Sequence, residues 1–267
     1  MTVRTTVHLM RHGEVFNPQG VLYGRLPGFH LSELGTRMAE IVARELATHD
    51  ITVVVASPLE RAQETAAPIA ESHGVPVDRD ERVIEAANDF EGRPFGRGPG
   101  ALWRPANLAL LRNPFAPSWG EPFGVVVARM HAAVLDARDR ARGHEAVIVS
   151  HQAPIWTLRR HLEGKPLWHN PRSRQCALAS LTTLTFSDDV LVRLSYSEPA
   201  GELAAHGKGV GSCGRLRRGA GSWLPPSRWP PLWRCPWGCR RAPRTRTRSP
   251  GRPPPATARA TFPATAP

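Results

Sequence analysis

Three short polar clusters in this chain of 267 residues carry side chains that can do chemistry. The first is Arg11-His12-Gly13-Glu14, with Asn17 close behind. The second is Ser57-Pro58-Leu59-Glu60-Arg61-Ala62-Gln63-Glu64-Thr65-Ala66, and the third is Ser150-His151. Together they offer two imidazoles and two guanidinium groups. A guanidinium fork matches phosphate oxygens bidentately. An imidazole titrates freely near pH ~6.5, so an unprotonated His12 can attack phosphorus and form a covalent intermediate. Such a pocket would be positively charged and would suit a phosphate ester.

Each cluster follows a stretch that reads as a strand. Residues 3–10 alternate imperfectly, are rich in Val and Thr, and stop at Arg11-His12-Gly13. Residues 51–56 are a short β-branched run ending at Ser57-Pro58, and 146–150 are a similar run ending at His151. Helical spacing follows each of them. Leu34, Met38, Ile41, Val42 and Leu46 share one face behind Ser32, a good N-cap. A second helix is predicted from Pro58, at its first position, through His73. Residues 121–142 and 155–162 read as two more. Two late strands, 178–186 and 190–196, flank the turn Ser187-Asp188-Asp189. Residues 92–120 are a Pro-, Gly- and Arg-rich excursion, predicted partly helical around 102–111. Alternating strands and helices predict an α/β fold, a three-layer sandwich with a mostly parallel central sheet and helices on both faces. Ligands of such sheets sit beyond the carboxyl ends of the strands, which would gather the three clusters at one edge.

Charge divides the chain in two. The formal net charge is +12, and residues 200–267 carry all of it, with thirteen Lys and Arg against the single acid Glu202. Residues 1–199 are neutral, so the molecule as a whole is not a basic nucleic-acid-binding domain. We expect 1–199 to be one catalytic domain, and 200–267 to be a disordered basic Pro/Arg/Gly-rich tail. The abrupt change after Pro199 suggests that the tail arose by a frameshift in G+C-rich DNA. The neutral part has one cysteine, Cys176, and so no internal disulfide. Cys213, Cys235, Cys239 and His206 in the tail are too irregularly spaced for a zinc motif. No apolar stretch has the length of a signal peptide or membrane span, so a cytoplasmic location is the expectation.

The three motifs together resemble those of the histidine phosphatase superfamily, which includes the phosphoglycerate mutase-like enzymes. Arg11-His12-Gly13, the run from Ser57 to Ala66, and Val149-Ser150-His151 carry the resemblance, which spans about 3–196. It implies that His12 is the nucleophile that becomes phosphohistidine, with Arg11, Arg61 and His151 completing the phosphate pocket. It implies Glu85, in Val83-Ile84-Glu85 ahead of Phe90-Glu91-Gly92, as the general acid. It also implies that Asn17 is an accessory phosphate contact and that Arg25, in Tyr23-Gly24-Arg25, lies on a substrate-side loop. Gly120-Glu121 resembles a further family element that opens a helix. Gln152 stands where the family commonly has Gly and would add an amide at the pocket lip. The spacing from Glu85 to Glu91-Gly92 is shorter than in typical mutases.

Plainer roles compete for the same residues. Arg61 could pair on the surface with Glu60 or Glu64, and His151 could cap a helix. Asn17 before Pro18 is a good turn former. Glu81, Asp89 and Glu91 are alternative carboxylates to Glu85. Arg159 and Arg160 read as a helix face, and His144, His161 and His169 as structural or surface residues.

The expected function is a phosphohistidine-dependent phosphatase acting on a small phosphorylated metabolite, with no metal and no cofactor. The alternative is a phosphoglycerate mutase-type phosphomutase, which would need a 2,3-bisphosphoglycerate primer and a water-excluding cover from 92–120. Behind both stand a non-catalytic phospho-ligand-binding protein and a polyanion binder acting through the tail. Nucleic acid and membrane are not expected partners. The oligomeric state is not encoded in any motif.

Overall fold

The computed structural model describes residues 2–92 and 120–204. The expectation of helix around 102–111, and that of disorder beyond Ala204, lie outside the described residues. Six strands form one sheet in the order β3-β2-β4-β1-β5-β6. They are β1 (Arg4–Arg11), β2 (Ile51–Ala56), β3 (Val77–Arg79), β4 (Glu145–Ser150), β5 (Leu181–Ser187) and β6 (Val190–Ser197). β1 lies parallel to β4, and β2 lies parallel to both β4 and β3. β5 is antiparallel to β1 and to β6. The sheet is therefore mostly parallel.

Helices cover both faces. α1 (Glu33–Leu46) and α2 (Glu60–His73) pack with Met10, Val54, Val147 and Val149 on one side. α3 (Phe123–Arg140) and α4 (Gln152–Leu162) pack with Val7, Leu9, Val55 and Ile148 on the other. Adjacent strand residues thus feed opposite cores, which is why β2 and β4 read as continuous apolar runs. This is the three-layer α/β sandwich that the sequence predicts.

Some boundaries differ from expectation. α2 begins at Glu60 with Leu59 as N-cap, two residues after Pro58. Ser57 Oγ accepts from Leu59 N–H at 3.4 Å, and Gln63 Nε2 donates to the Ser57 carbonyl at 2.6 Å, so a turn occupies the space before the helix. α4 begins at Gln152, earlier than the apolar spacing implies. β5 begins at Leu181, because Ala179 is left-handed (φ 52°) and Ser180 N–H closes a turn onto Ala177. Edge strand β3 has no signature in the sequence, since three residues are too few to show a period. Order also runs past Pro199. Gly201–Ala204 form a short helix, α5, and Ala200 and Leu203 pack onto the core beneath α1 and α2.

The loop after β1 is fixed by contact between backbones. Ser32 caps α1 by accepting from Gly35 N–H at 3.0 Å, and its hydroxyl donates to Glu14 Oε2 at 2.7 Å. A Cβ on Gly35 would lie 2.0 Å from the Glu14 carbonyl oxygen, and one on Gly13 would lie 2.6 Å from that of Gly35. Only glycines allow this crossing. From α2, Thr65 Oγ1 accepts from Gly13 N–H at 3.1 Å. The segment bearing His12 is therefore held by both helices of one face.

Gly35→Ala is expected to destabilise the protein by about 3 kcal/mol through overpacking against backbone. That corresponds to roughly 2–4 °C of melting temperature per kcal/mol in a domain of this size. Gly124→Ala in α3, where a new Cβ meets nothing within 4 Å, should be neutral or stabilising. Thermal denaturation of both variants checks the contrast. Equal melting temperatures would contradict it.

Candidate active site

The three sequence clusters meet at the carboxyl edge of the sheet. His12 N–H donates to the Ser150 carbonyl at 3.1 Å, and Ser57 N–H donates to that of Val149 at 3.0 Å. The ends of β1, β2 and β4 are thus joined through main chain. The rings of His12 and His151 lie 5.1 Å apart, centroid to centroid. Arg11, His12, Arg61 and His151 are all buried, Arg61 completely.

Hydrogen bonds assign the protons on both rings. His12 Nδ1 lies 2.8 Å from the Gly13 carbonyl oxygen, which can only accept. Nδ1 therefore carries the hydrogen, and the lone pair is on Nε2. His151 Nδ1 faces Arg61 Nη2 at 3.4 Å, and a guanidinium can only donate. His151 Nε2 then donates to Ser57 Oγ at 2.8 Å. Burial first, and then the charges of Arg61 and Arg11, hold the His12 pKa well below 6.5. Burial and Arg61 do the same to His151, with His12 and Arg11 adding to the effect. Both rings are neutral at pH 7.

The two arginines are only partly paired. Arg11 Nη1 donates to the Cys176 carbonyl at 2.7 Å, and Arg61 Nη2 donates to that of Gly24 at 2.6 Å. The Tyr23 ring lies under Arg61, 4.7 Å from its centroid to the guanidinium carbon. Arg11 Nε and Arg61 Nε and Nη1 are buried with no hydrogen-bond partner. A buried unpaired donor costs about 1–3 kcal/mol, and more when charged. Three such donors near one neutral imidazole make a cradle for an anion. The N-terminus of α4, which starts right after His151, adds partial positive charge at the same edge.

Glu85 is the carboxylate of this edge. Burial raises its pKa above 4.5, against the opposing pull of the Ala86 N–H, Arg61, Arg174 and Arg11. Its Oε1 accepts from Ala86 N–H at 2.8 Å. Of the alternatives, Glu81 and Asp89 are exposed, and Glu91 accepts from Arg25 N–H at 3.0 Å.

Arg25 and Asn17 are engaged elsewhere. Arg25 Nε donates to the Glu85 carbonyl at 2.7 Å, and its Nη2 donates to Glu121 Oε2 at 2.8 Å. Asn17 spends both ends of its amide on Val21, closing a turn. The structure thus does not place Asn17 or Arg25 among the unpaired donors around His12. Gln152 Nε2 reaches the Cys176 carbonyl at 3.4 Å, the same oxygen that Arg11 uses, and so stands at the pocket rim.

Arg129 and Arg174 have no signal in the sequence. Arg129 grips Glu121 with two bonds, of 2.8 and 3.0 Å, and donates to the carbonyls of Arg82 and Ile84 at 2.7 and 2.6 Å. Although burial opposes it, the Arg129 fork, with Arg25, holds Glu121 below its ordinary pKa. Arg25, Glu121 and Arg129 form a clamp around the main chain that presents Glu85. Arg174 acts on Glu85 from another segment, and its Nε donates to His169 Nε2 at 2.8 Å. Ser57 and Tyr23 lie within the sequence motifs, but their contacts with His151 and Arg61 are tertiary.

The model of the histidine phosphatase superfamily (branch 1) matches residues 7–198. The chain belongs to this superfamily. It is an enzyme of the histidine phosphatase type. It is 58% identical over 200 residues to the uncharacterized protein Rv0525 of Mycobacterium tuberculosis (strain ATCC 25618 / H37Rv), covering 75% of this chain and 99% of that one. It is 30% identical over 203 residues to the "Probable phosphoglycerate mutase GpmB" of Yersinia pestis (strain Pestoides F), covering 74% and 93%. Among solved structures, it is similar to the mycobacterial glucosyl-3-phosphoglycerate phosphatase Rv2419c, at TM-score 0.57 and 28% identity over 68% of this chain and 90% of that one. Among the described residues, no helix is long and apolar enough to cross a membrane.

Glu121→Gln should loosen the clamp around residues 82–87. Removing one partner of a largely buried ion pair costs about 3 kcal/mol, and amide exchange in 82–87 should accelerate. Phosphate affinity should stay within about twofold, because the unpaired donors of Arg11 and Arg61 are untouched. Hydrogen exchange and phosphate titration check this. Unchanged exchange in 82–87 would remove the clamp from the account.

Proposed function

We propose that the protein is a phosphatase that hydrolyses a small phosphate ester through a phosphohistidine on His12. The three unpaired guanidinium donors beside the neutral His12 carry this reading. Phosphoryl transfer is mostly positioning and charge stabilisation, and this is what these groups can supply. The lone pair of His12 Nε2 attacks phosphorus. The bond from phosphorus to the ester oxygen breaks, and its electron pair leaves on that oxygen. Glu85, kept protonated by burial, donates a proton to the leaving oxygen. In the second half, the Glu85 carboxylate takes a proton from water, and the oxygen attacks phosphorus. The N–P bond breaks, its electrons return to Nε2, and phosphate departs. Arg11 and Arg61 hold the equatorial oxygens throughout, and His151 joins them by turning its Nε2–H from Ser57 Oγ to the phosphate.

No step needs a metal or a cofactor. The similarity to the mycobacterial glucosyl-3-phosphoglycerate phosphatase supports a small phosphorylated metabolite as substrate. The similarity to the Yersinia mutase supports a second reading, a phosphoglycerate mutase-type phosphomutase primed by 2,3-bisphosphoglycerate. The two differ in whether water or a retained intermediate accepts the phosphate.

Phosphorus NMR of the full chain with 3-phosphoglycerate and a trace of the 2,3-bisphosphate separates them. Inorganic phosphate formed by the wild type and absent with His12→Ala is the expected result. A 2-phosphoglycerate resonance without phosphate release would replace the phosphatase by the mutase.

The pH dependence follows from the two shifts. Phosphorylation needs neutral His12 and protonated Glu85. His12 is held neutral down to well below 6.5, and Glu85 stays protonated above 4.5. The single-turnover rate should therefore fall on the acid side as His12 gains a proton, and on the alkaline side as Glu85 loses one. Glu85→Gln should abolish the alkaline limb and slow an alkyl phosphate about 10²–10⁴-fold. An aryl phosphate with a good leaving group should be slowed far less. Equal slowing of both esters would mean that Glu85 is not the acid.

A further inference from the structure

At the opposite edge of the sheet from His12, two imidazoles converge on one carboxylate. His8 lies within β1, Glu145 opens β4, and His49 precedes β2. Strand register puts the first two on one face. Glu145 pairs with Thr6, two residues from His8, and both point toward the α1 and α2 layer. We propose that His8, His49 and Glu145 form a binding site for one zinc-class divalent cation, with the fourth position of a tetrahedron open to water.

The donor atoms already converge. His8 Nε2 and His49 Nδ1 lie 2.7 and 2.8 Å from the same carboxylate oxygen, Oε2 of Glu145. One ligand atom from each residue falls within 4.8 Å of the others. Zinc bonds of about 2.0–2.2 Å in a tetrahedron set ligand atoms ~3.3 Å apart. A small rotation of the carboxylate therefore makes room for the ion. Two imidazoles and one carboxylate are a donor set suited to zinc, with the other later first-row divalent ions as competitors.

The surroundings are those of an oriented ligand. Thr183 lies opposite His8 across β1 and β5, and its Oγ1 is 3.0 Å from His8 Nδ1. A hydroxyl accepting from Nδ1–H leaves the Nε2 lone pair for a metal, an outer contact that ligating histidines commonly make. Glu145 N–H is anchored to the Asp50 carbonyl at 2.9 Å, and His49 N–H to that of Leu46 at 2.9 Å. Asp50 is paired with His144 at 2.6 Å and does not compete for the cluster. His49 and Glu145 are partly exposed, which gives an ion a way in. The three residues come from three separate segments, so no ligand spacing marks them in the sequence.

The plain reading of the same atoms is a hydrogen-bonded triad with no ion. Cobalt(II) titration of the full chain distinguishes the two. We expect one equivalent to bind with the visible bands of tetrahedral cobalt, without the thiolate charge-transfer band that ligation by Cys213, Cys235 or Cys239 would give. Zinc should displace it and raise the melting temperature. His49→Ala, at a partly exposed loop position, should weaken binding about 100-fold or more and remove the bands. Glu145→Gln should do the same. Hydrolysis of a phosphate ester should be unchanged in His49→Ala. Absence of tetrahedral bands, bands that persist in His49→Ala, or thiolate bands alone would each overturn the site.

Discussion

Two buried arginines at one edge of the sheet, with no salt bridge to either guanidinium among the described residues, are the constraint on which this fold turns. Arg11 and Arg61 are buried at the ends of different elements, and three of their N–H donors are unpaired. Burying like charges together is costly unless something offsets it. Here their remaining donors are tied to the carbonyls of Cys176 and Gly24, and an aromatic ring lies under Arg61. The two histidines among them stay neutral and add no further positive charge. The energy withheld from internal pairing is available to an oxyanion.

That arrangement demands a rigid frame. The frame is the parallel strands β1, β2 and β4, whose carboxyl ends are joined by main-chain hydrogen bonds. The loop after β1 is pressed between the start of α1 and the side of α2, where glycines let backbones touch. The His12 ring is then oriented by the carbonyl of the next residue, which leaves Nε2 as the reactive atom. Each device is short in range, yet each depends on the sheet to bring its parts together.

Glu85 is handled differently. It sits outside the regular strands, in a segment that no sheet ladder holds. Three charged side chains do that work instead, with Arg129 and Arg25 donating to carbonyls from 82 to 85 and Glu121 joining the two. An ion-pair clamp on a loop allows a carboxyl group to be buried, with its pKa raised, while its main chain stays in register with the pocket. The polar cluster of His8, His49 and Glu145 lies at the other edge of the same strands, so β1 carries side chains of chemical interest toward both ends.

The fold class, five of the six strands and the four main helices are legible in the sequence, as are the three polar clusters that meet at one edge of the sheet. Arg11, His12, Arg61 and His151 are legible as a group because each belongs to a short motif at or just after the carboxyl end of a strand. Only the resemblance singles out Glu85 in the sequence, and burial then distinguishes it from the exposed Glu81 and Asp89. Tertiary structure decided the rest. It tied Arg25 to the Glu85 backbone and engaged Asn17 within its own turn. It added Arg129 and Arg174 around Glu85, gave Glu121 its place between Arg25 and Arg129, and began α2 two residues beyond Pro58. It also extended order past Pro199 through Ala200 and Leu203. The physical reason is common to all of these. Periodicity and capping are local and can be read from neighbours in the chain. Which donor meets which carbonyl across forty or ninety residues is settled only when the sheet closes and competing partners come within reach.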